Sequence, residues 1–187
     1  DREAALASVV RDYVDDLVEW PEAGSSRIAL AHRRVDVRAL NDGIRTTLQA
    51  RGALAGEAVY PTALGDRAFA VGDRVVFLEN HRGMGVKNGT LGTVEQGAAV
   101  MTPGQIEVRL DGADGAAGRL VTVALSKNTA IDHGYATTIH KSQGATVDRA
   151  FVLASKTMDQ HLSYVAMTRH REQVTLSGGT LSIAGSA

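Results

Sequence analysis

Cysteine is missing from this chain, so disulfides and thiolate metal sites are excluded, as suits a cytoplasmic protein. Aromatics are scarce: one Trp, three Phe and four Tyr leave little surface on which bases could stack. Tyr60, Phe77 and Tyr135 are expected in the core, and a strong stand-alone single-strand binder would show more aromatics than this. Charge of one sign is missing as well. With a net charge of −1 there is no global basic footprint, so any nucleic-acid contact must come from local patches and be weak and salt-sensitive in the chain alone.

No apolar run approaches a membrane span and no signal-peptide pattern opens the chain, so no membrane insertion is expected. There is no Gly-x-x-x-x-Gly-Lys-Ser/Thr run to cradle phosphates, and no convincing acidic strand end for magnesium. The histidines (His32, His81, His133, His140, His161 and His170) form no i,i+4 pair, which argues against a metal site. Ser142 and Ser163 lack the glycine-flanked turn of a nucleophile elbow.

What is present suffices for a core: 187 residues, 44% of them hydrophobic, allow one ordinary domain or one carrying a small insertion. The bland start at Asp1 suggests a piece of a longer protein. Arg2 to Trp20 reads as a helix with Leu6, Val10, Tyr13, Leu17 and Trp20 on its apolar stripe. Asp12, Asp15, Asp16 and Glu19 read as its solvated face rather than a partner-binding one, and Pro21 with Gly24-Ser25-Ser26 ends it. Arg27 to His32 reads as a strand. A helix follows from about Asp36, as N-cap, to Arg51, with Val37, Leu40, Ile44 and Leu48 buried and Gly52 as its stop. Arg33 and Arg34 fall just past the strand's carboxyl end, the ligand edge of a parallel sheet, whereas Arg38, Arg45 and Arg51 read as a solvated face.

From about Gly65 the texture becomes short alternating runs. Arg74–Leu78, Leu91–Glu95, Gln105–Leu110 and Arg119–Leu125 are strand candidates, separated by glycine-rich turns such as Asn88-Gly89. Such closely spaced strands suggest a small barrel. Asp66 to Asn128 holds seven acidic and seven basic residues, but the loop His81–Asn88 carries Arg82 and Lys87 against no acid. That loop reads either as a phosphate contact or as a solvated hairpin tip.

The stretch from Asp132 to Glu172 organises the rest. Gly134 to Gln143 is helix-compatible, with Gly144 as its stop. Ala150–Ala154 is an apolar run expected of a strand buried on both faces. A helix from Thr157-Met158-Asp159-Gln160, a capping box, carries Leu162, Val165 and Ala166 and brings Arg169 to its end. A last strand is expected at Gln173–Ser177.

Two runs here, TTIHKSQGATVD from Thr137 and SYVAMTRHRE from Ser163, resemble motifs V and VI of superfamily-one DNA helicases of the RecD-like branch, most of all the helicase part of TraA-type conjugative relaxases. ALAHRRVDVRALN resembles motif IV, and Gly72 to Val94 resembles the SH3-like barrel that such helicases insert between motifs IV and V, lying along the single strand. The family often has an acid two places after the motif V glycine; Thr146 stands there.

The resemblance implies that Arg169 is an arginine finger, that Arg33 and, second, Arg34 reach nucleotide phosphates, and that Gln143 and Gly144 complete the ATP side. Thr138, His140, Lys141 and Ser142, with Arg82 and Lys87, would meet DNA. ATP and Mg2+ would be held mainly by an N-terminal RecA-like domain of the same protein, so this polypeptide alone should not turn over ATP. The expected architecture is an α/β, RecA-like (P-loop NTPase-type) parallel-sheet domain made discontinuously from residues 1–64 and 129–187, with an SH3-like β-barrel inserted at 65–128. Its implied partners are single-stranded DNA, that N-terminal domain and the conjugative transfer machinery. The rival reading is a non-catalytic module with the same fold, a DNA-holding or secretion-recognition surface.

Overall fold

The computed structural model describes residues 1–20, 26–112, 116, 118–142, 147–154 and 170–177, the last segment by its backbone. In chain order the elements are α1 (Arg2–Glu19), β1 (Arg27–Ala31), α2 (Arg34–Ala50), β2 (Ala55–Thr62), β3 (Gly65–Val71), β4 (Arg74–Phe77) and β5 (Leu91–Gln96). They continue with β6 (Gln105–Leu110), β7 (Leu120–Ala124), β8 (Ile131–His133), β9 (Ala136–Thr138), β10 (Val147–Leu153) and β11 (His170–Ser177). Two compact units result, residues 1–47 with 135–187, and residues 48–134. The sequence boundary at 64/65 falls in the turn of the β2–β3 hairpin, and that at 128/129 just before β8.

The first unit is built on a parallel sheet in the order β11-β10-β1-β9. All five residues of β1 are buried, as are six of the seven of β10, so both strands are covered on both faces. Helix α1 lies against β1, β10 and β11. Its buried face is Ala5, Val9, Tyr13 and Val14, rotated from the expected stripe, and Trp20 stays 42% exposed. Tyr13, common to the expected and the observed face, anchors the helix. Its ring meets Tyr135 edge-on at 6.2 Å and Phe151 at 5.6 Å, contacts worth about 0.5–1.5 kcal/mol each beyond area burial.

Asp16 corrects the reading of a wholly solvated acidic face. Its carboxylate accepts from Arg27 Nε and from Arg149 Nη1, both at 2.5 Å, and the three side chains are 5–11% exposed. The Arg149 guanidinium also sits 5.0 Å over the Trp20 ring. Two arginines on neighbouring buried strands need an acid, and α1 supplies it.

Helix α2 begins at Arg34, two residues before the expected Asp36 cap, because the Arg33 carbonyl already receives the amides of Asp36 and Val37. Leu40, Ile44 and Leu48 are buried as expected, and Gly52, at φ 69°, follows the helix end. Gly43 lets the two helices approach closely; a Cβ there would lie 3.0 Å from Val10 Cγ2.

The second unit is antiparallel: a five-stranded sheet in the order β7-β6-β5-β4-β8 and the β2–β3 hairpin. Strict alternation in β6 and β7 puts Ile106, Val108, Val121 and Val123 inside a core with Phe69, Phe77 and Ile131. Among the described pairings β7 and β8 remain the sheet's edges. Arg74 ties the sheet with a two-pronged bond to Asp111, at 2.5 and 2.7 Å.

The helix expected over Gly134–Gln143 is corrected: residues 136–138 are β9, which pairs in parallel with β1. Thr137, Thr138 and Ile139 are β-branched, and β1 offers an open ladder to pair with, so the strand outcompetes the helix.

Candidate functional site at the strand ends

Parallel pairing delivers two segments to one edge of the sheet. Ala31, the last residue of β1, pairs with Thr138, the last of β9, and the Ile139 amide donates to the Ala31 carbonyl at 3.1 Å. His32 and Arg33 leave β1 beside the turn formed by residues 139–142. Such carboxyl ends are where α/β sheets bind ligands.

On the β1 side, Arg33 is 47% exposed and oriented by its neighbour. Its Nε donates to Asp36 Oδ2 at 2.9 Å and its Nη2 to Oδ1 at 3.3 Å. Arg2 Nε donates to the same Oδ1 at 2.7 Å. The Asp36 side chain is 2% exposed. Burial pushes its carboxyl up, but the hydrogen bonds and charges of Arg33 and Arg2 outweigh this and hold it below the ordinary value. Arg34, the first helical residue, is exposed.

On the β9 side the turn is fixed internally. Thr138 Oγ1 accepts from the Lys141 amide at 3.2 Å, and the Ser142 amide donates to the Thr138 carbonyl at 3.1 Å. Ser142 is 3% exposed and its hydroxyl donates to the Ile139 carbonyl at 2.6 Å, so its side chain serves the turn. His140 and Lys141 are the exposed pair. The His140 ring faces that of His32 at 6.1 Å, and His32 Nδ1 is shielded with no hydrogen-bond partner among the described residues.

Asn41 was not anticipated, although a lone amide inside an apolar stripe was a visible signal. Its Nδ2 donates to the carbonyls of Val37, at 3.2 Å, and Ala136, at 3.1 Å; its Oδ1 accepts from the amides of Tyr135 and Ala136, both at 3.0 Å. The amide thereby locks the start of β9 to α2. Asp36 was likewise not read as the shared partner of Arg33 and Arg2.

The structure thus brings Arg33 and Arg34 to the same edge as Thr138, His140, Lys141 and Ser142. Arg82 and Lys87 lie on an exposed loop of the second unit. Gln143, Gly144, Arg169 and the helix expected from Thr157 lie outside the described residues.

Residues 133–177 match the family model of the UvrD-like helicase C-terminal domain. Over that segment the chain is similar to helicase C-terminal domains. Conjugal transfer protein TraA of Rhizobium radiobacter is 48% identical over 160 residues, which cover 84% of this chain and 14% of that protein. The chain is therefore homologous to a segment of TraA-type proteins and spans about a seventh of their length. Among solved structures, Pif1 helicase from Candida albicans matches with a TM-score of 0.64 at 16% identity, over 94% of this chain and 53% of that one. Pif1 helicase from Bacteroides, in complex with ADP-AlF3 and ssDNA, matches with a TM-score of 0.56 at 22% identity, over 91% and 47%. These likenesses establish the helicase RecA-like fold.

Proposed function

We propose that this chain is the second motor domain of an ATP-dependent DNA helicase or translocase, within a conjugative DNA-transfer relaxase. ATP and Mg2+ are assigned mainly to an N-terminal RecA-like domain of the same protein. In this reading Arg33, with Arg34 behind it, reaches the nucleotide phosphates, Gln143 and Gly144 complete that side, and Arg169 supplies the arginine finger. His140 and Lys141 meet the backbone of single-stranded DNA, while Thr138 and Ser142 hold the turn that presents them. The segment 65–128 is assigned as the inserted SH3-like barrel, with Arg82 and Lys87 as further phosphate contacts.

The observation that carries this reading is the register Ala31↔Thr138, which sets Arg33 and the His140–Lys141 pair at the ends of adjacent parallel strands. A half-exposed guanidinium already oriented by Asp36 fits an incoming phosphate without a search through rotamers. A nucleotide-facing group and a DNA-facing turn on neighbouring strands are also what a motor needs in order to link the two ligands.

The deciding experiment is single-strand-dependent ATP turnover by the complete protein carrying Arg169→Ala. Turnover should fall by roughly three to five decades while affinity for single-stranded DNA changes by less than about twofold. Equal losses in both would remove Arg169 from the finger role.

A further inference from the structure

A cavity of about 350 Å3 opens in the second unit, between the loop that follows β4 and the outward face of β7. Its apolar wall is formed by Met84, Ala124 and Ala130 over Phe77. At this volume, near the lower end for small-molecule sites, it holds one flat group of nucleobase or nucleoside size.

The polar rim is specific. Among the described residues Glu79 is the one acid in the lining, and neither Lys nor Arg lines the cavity. Asn80 Oδ1 already accepts the Asn88 amide at 2.9 Å, which leaves its NH2 group as a donor. His81 Nδ1 accepts the Met84 amide at 3.2 Å, so in the neutral ring the proton lies on Nε2. Asn128 brings both a donor and an acceptor.

Cations surround this rim without entering it. Arg82 follows His81, Lys87 follows Val86, which bridges back to His81, and Lys127 precedes Asn128; all three are exposed. A phosphate is therefore favoured at the rim and disfavoured inside, next to Glu79. A lysine or arginine from a protein partner would suit Glu79 but would have to pass Arg82, Lys87 and Lys127. A neutral planar group attached to a phosphate chain satisfies both regions.

We propose that this cavity is a nucleobase subsite, holding one unstacked base of a single strand whose flanking phosphates lie on Arg82, Lys87 and Lys127. This rests on the reading of the chain as a single-strand-binding motor domain. The Glu79 carboxylate only accepts hydrogen bonds, so the base it selects must present an amine: guanine, cytosine or adenine. Thymine has only its ring N3–H, between two carbonyls that the carboxylate repels.

The test is competition anisotropy of the complete protein at one low salt concentration. The strands are an all-dT oligonucleotide, the same strand with one central dG or dC, and the same strand with one central abasic residue. The expected result is roughly fivefold tighter binding of the dG and dC strands and no gain from the abasic one. Glu79→Ala should erase the difference between the dG or dC strand and the all-dT strand, and Arg82→Ala should weaken every strand alike. Equal affinity for all strands, or a gain that persists in Glu79→Ala, overturns the base subsite and leaves the motor reading standing. No binding of the all-dT strand overturns both.

Discussion

Asn41 holds Ala136 from both sides of its peptide: Nδ2 donates to the Ala136 carbonyl at 3.1 Å, and Oδ1 accepts the Ala136 amide at 3.0 Å. One helix side chain thus stands in for a neighbouring strand at the point where β9 begins, and Asn41→Leu would leave the Tyr135 and Ala136 amides without their acceptor. Such a loss costs about 1–3 kcal/mol per buried group. The urea midpoint should fall accordingly, and an unchanged midpoint would show that water replaces the amide fully.

The Arg27–Asp16–Arg149 cluster supports a stronger expectation. Asp16→Ala leaves two nearly buried guanidinium groups without their shared carboxylate, which should destabilise by roughly 3–5 kcal/mol. Chemical unfolding should register this at high salt as well as low, because ions screen so enclosed a cluster poorly. A loss that disappears in salt would place the cluster in solvent.

Asp36 sets a pH dependence. Its carboxyl lies below the ordinary 3.8 in the folded chain because Arg33 and Arg2 donate to it. A depressed acid contributes stability that is fully present above its unfolded value and is lost as pH falls through its folded value. Asp36→Asn should therefore lower stability at neutral pH and flatten the decline below about pH 4. Parallel acid-unfolding curves for the two proteins would contradict this.

Lys141 should act through salt. If it neutralises one phosphate, Lys141→Ala in the complete protein weakens all single strands similarly and reduces the slope of log affinity against log salt by about 0.7. A weakened affinity with an unchanged slope would assign it to the turn instead.

The sequence made the long patterns legible. The apolar run at 150–154 lies mostly within β10, the alternation of 105–110 is β6, and Gly52 follows α2. Short or borrowed structure was not legible. A three-residue strand such as β9 is decided by β1 beside it, not by its own period, and within a ten-residue window its neighbours looked helical. Asp16 looked solvated because its two arginines lie on strands 11 and 133 positions away. At the site, the run His140–Ser142 identified the turn, but the sequence could not show that Ser142 faces inward while His140 and Lys141 face out. That division follows from the Ser142 hydroxyl's bond to Ile139.

The placement of β1 has a consequence for how the chain comes together. Its two strand neighbours, β9 and β10, both lie about a hundred residues further along. During synthesis β1 therefore emerges long before any strand can pair with it, whereas the hairpins of the second unit close locally. Because loop closure must precede the reward of non-local pairing, the order of folding is set by topology: the intervening unit forms first and shortens the gap that the outer one must span. The intervening unit thus also acts as a folding tether for the outer one.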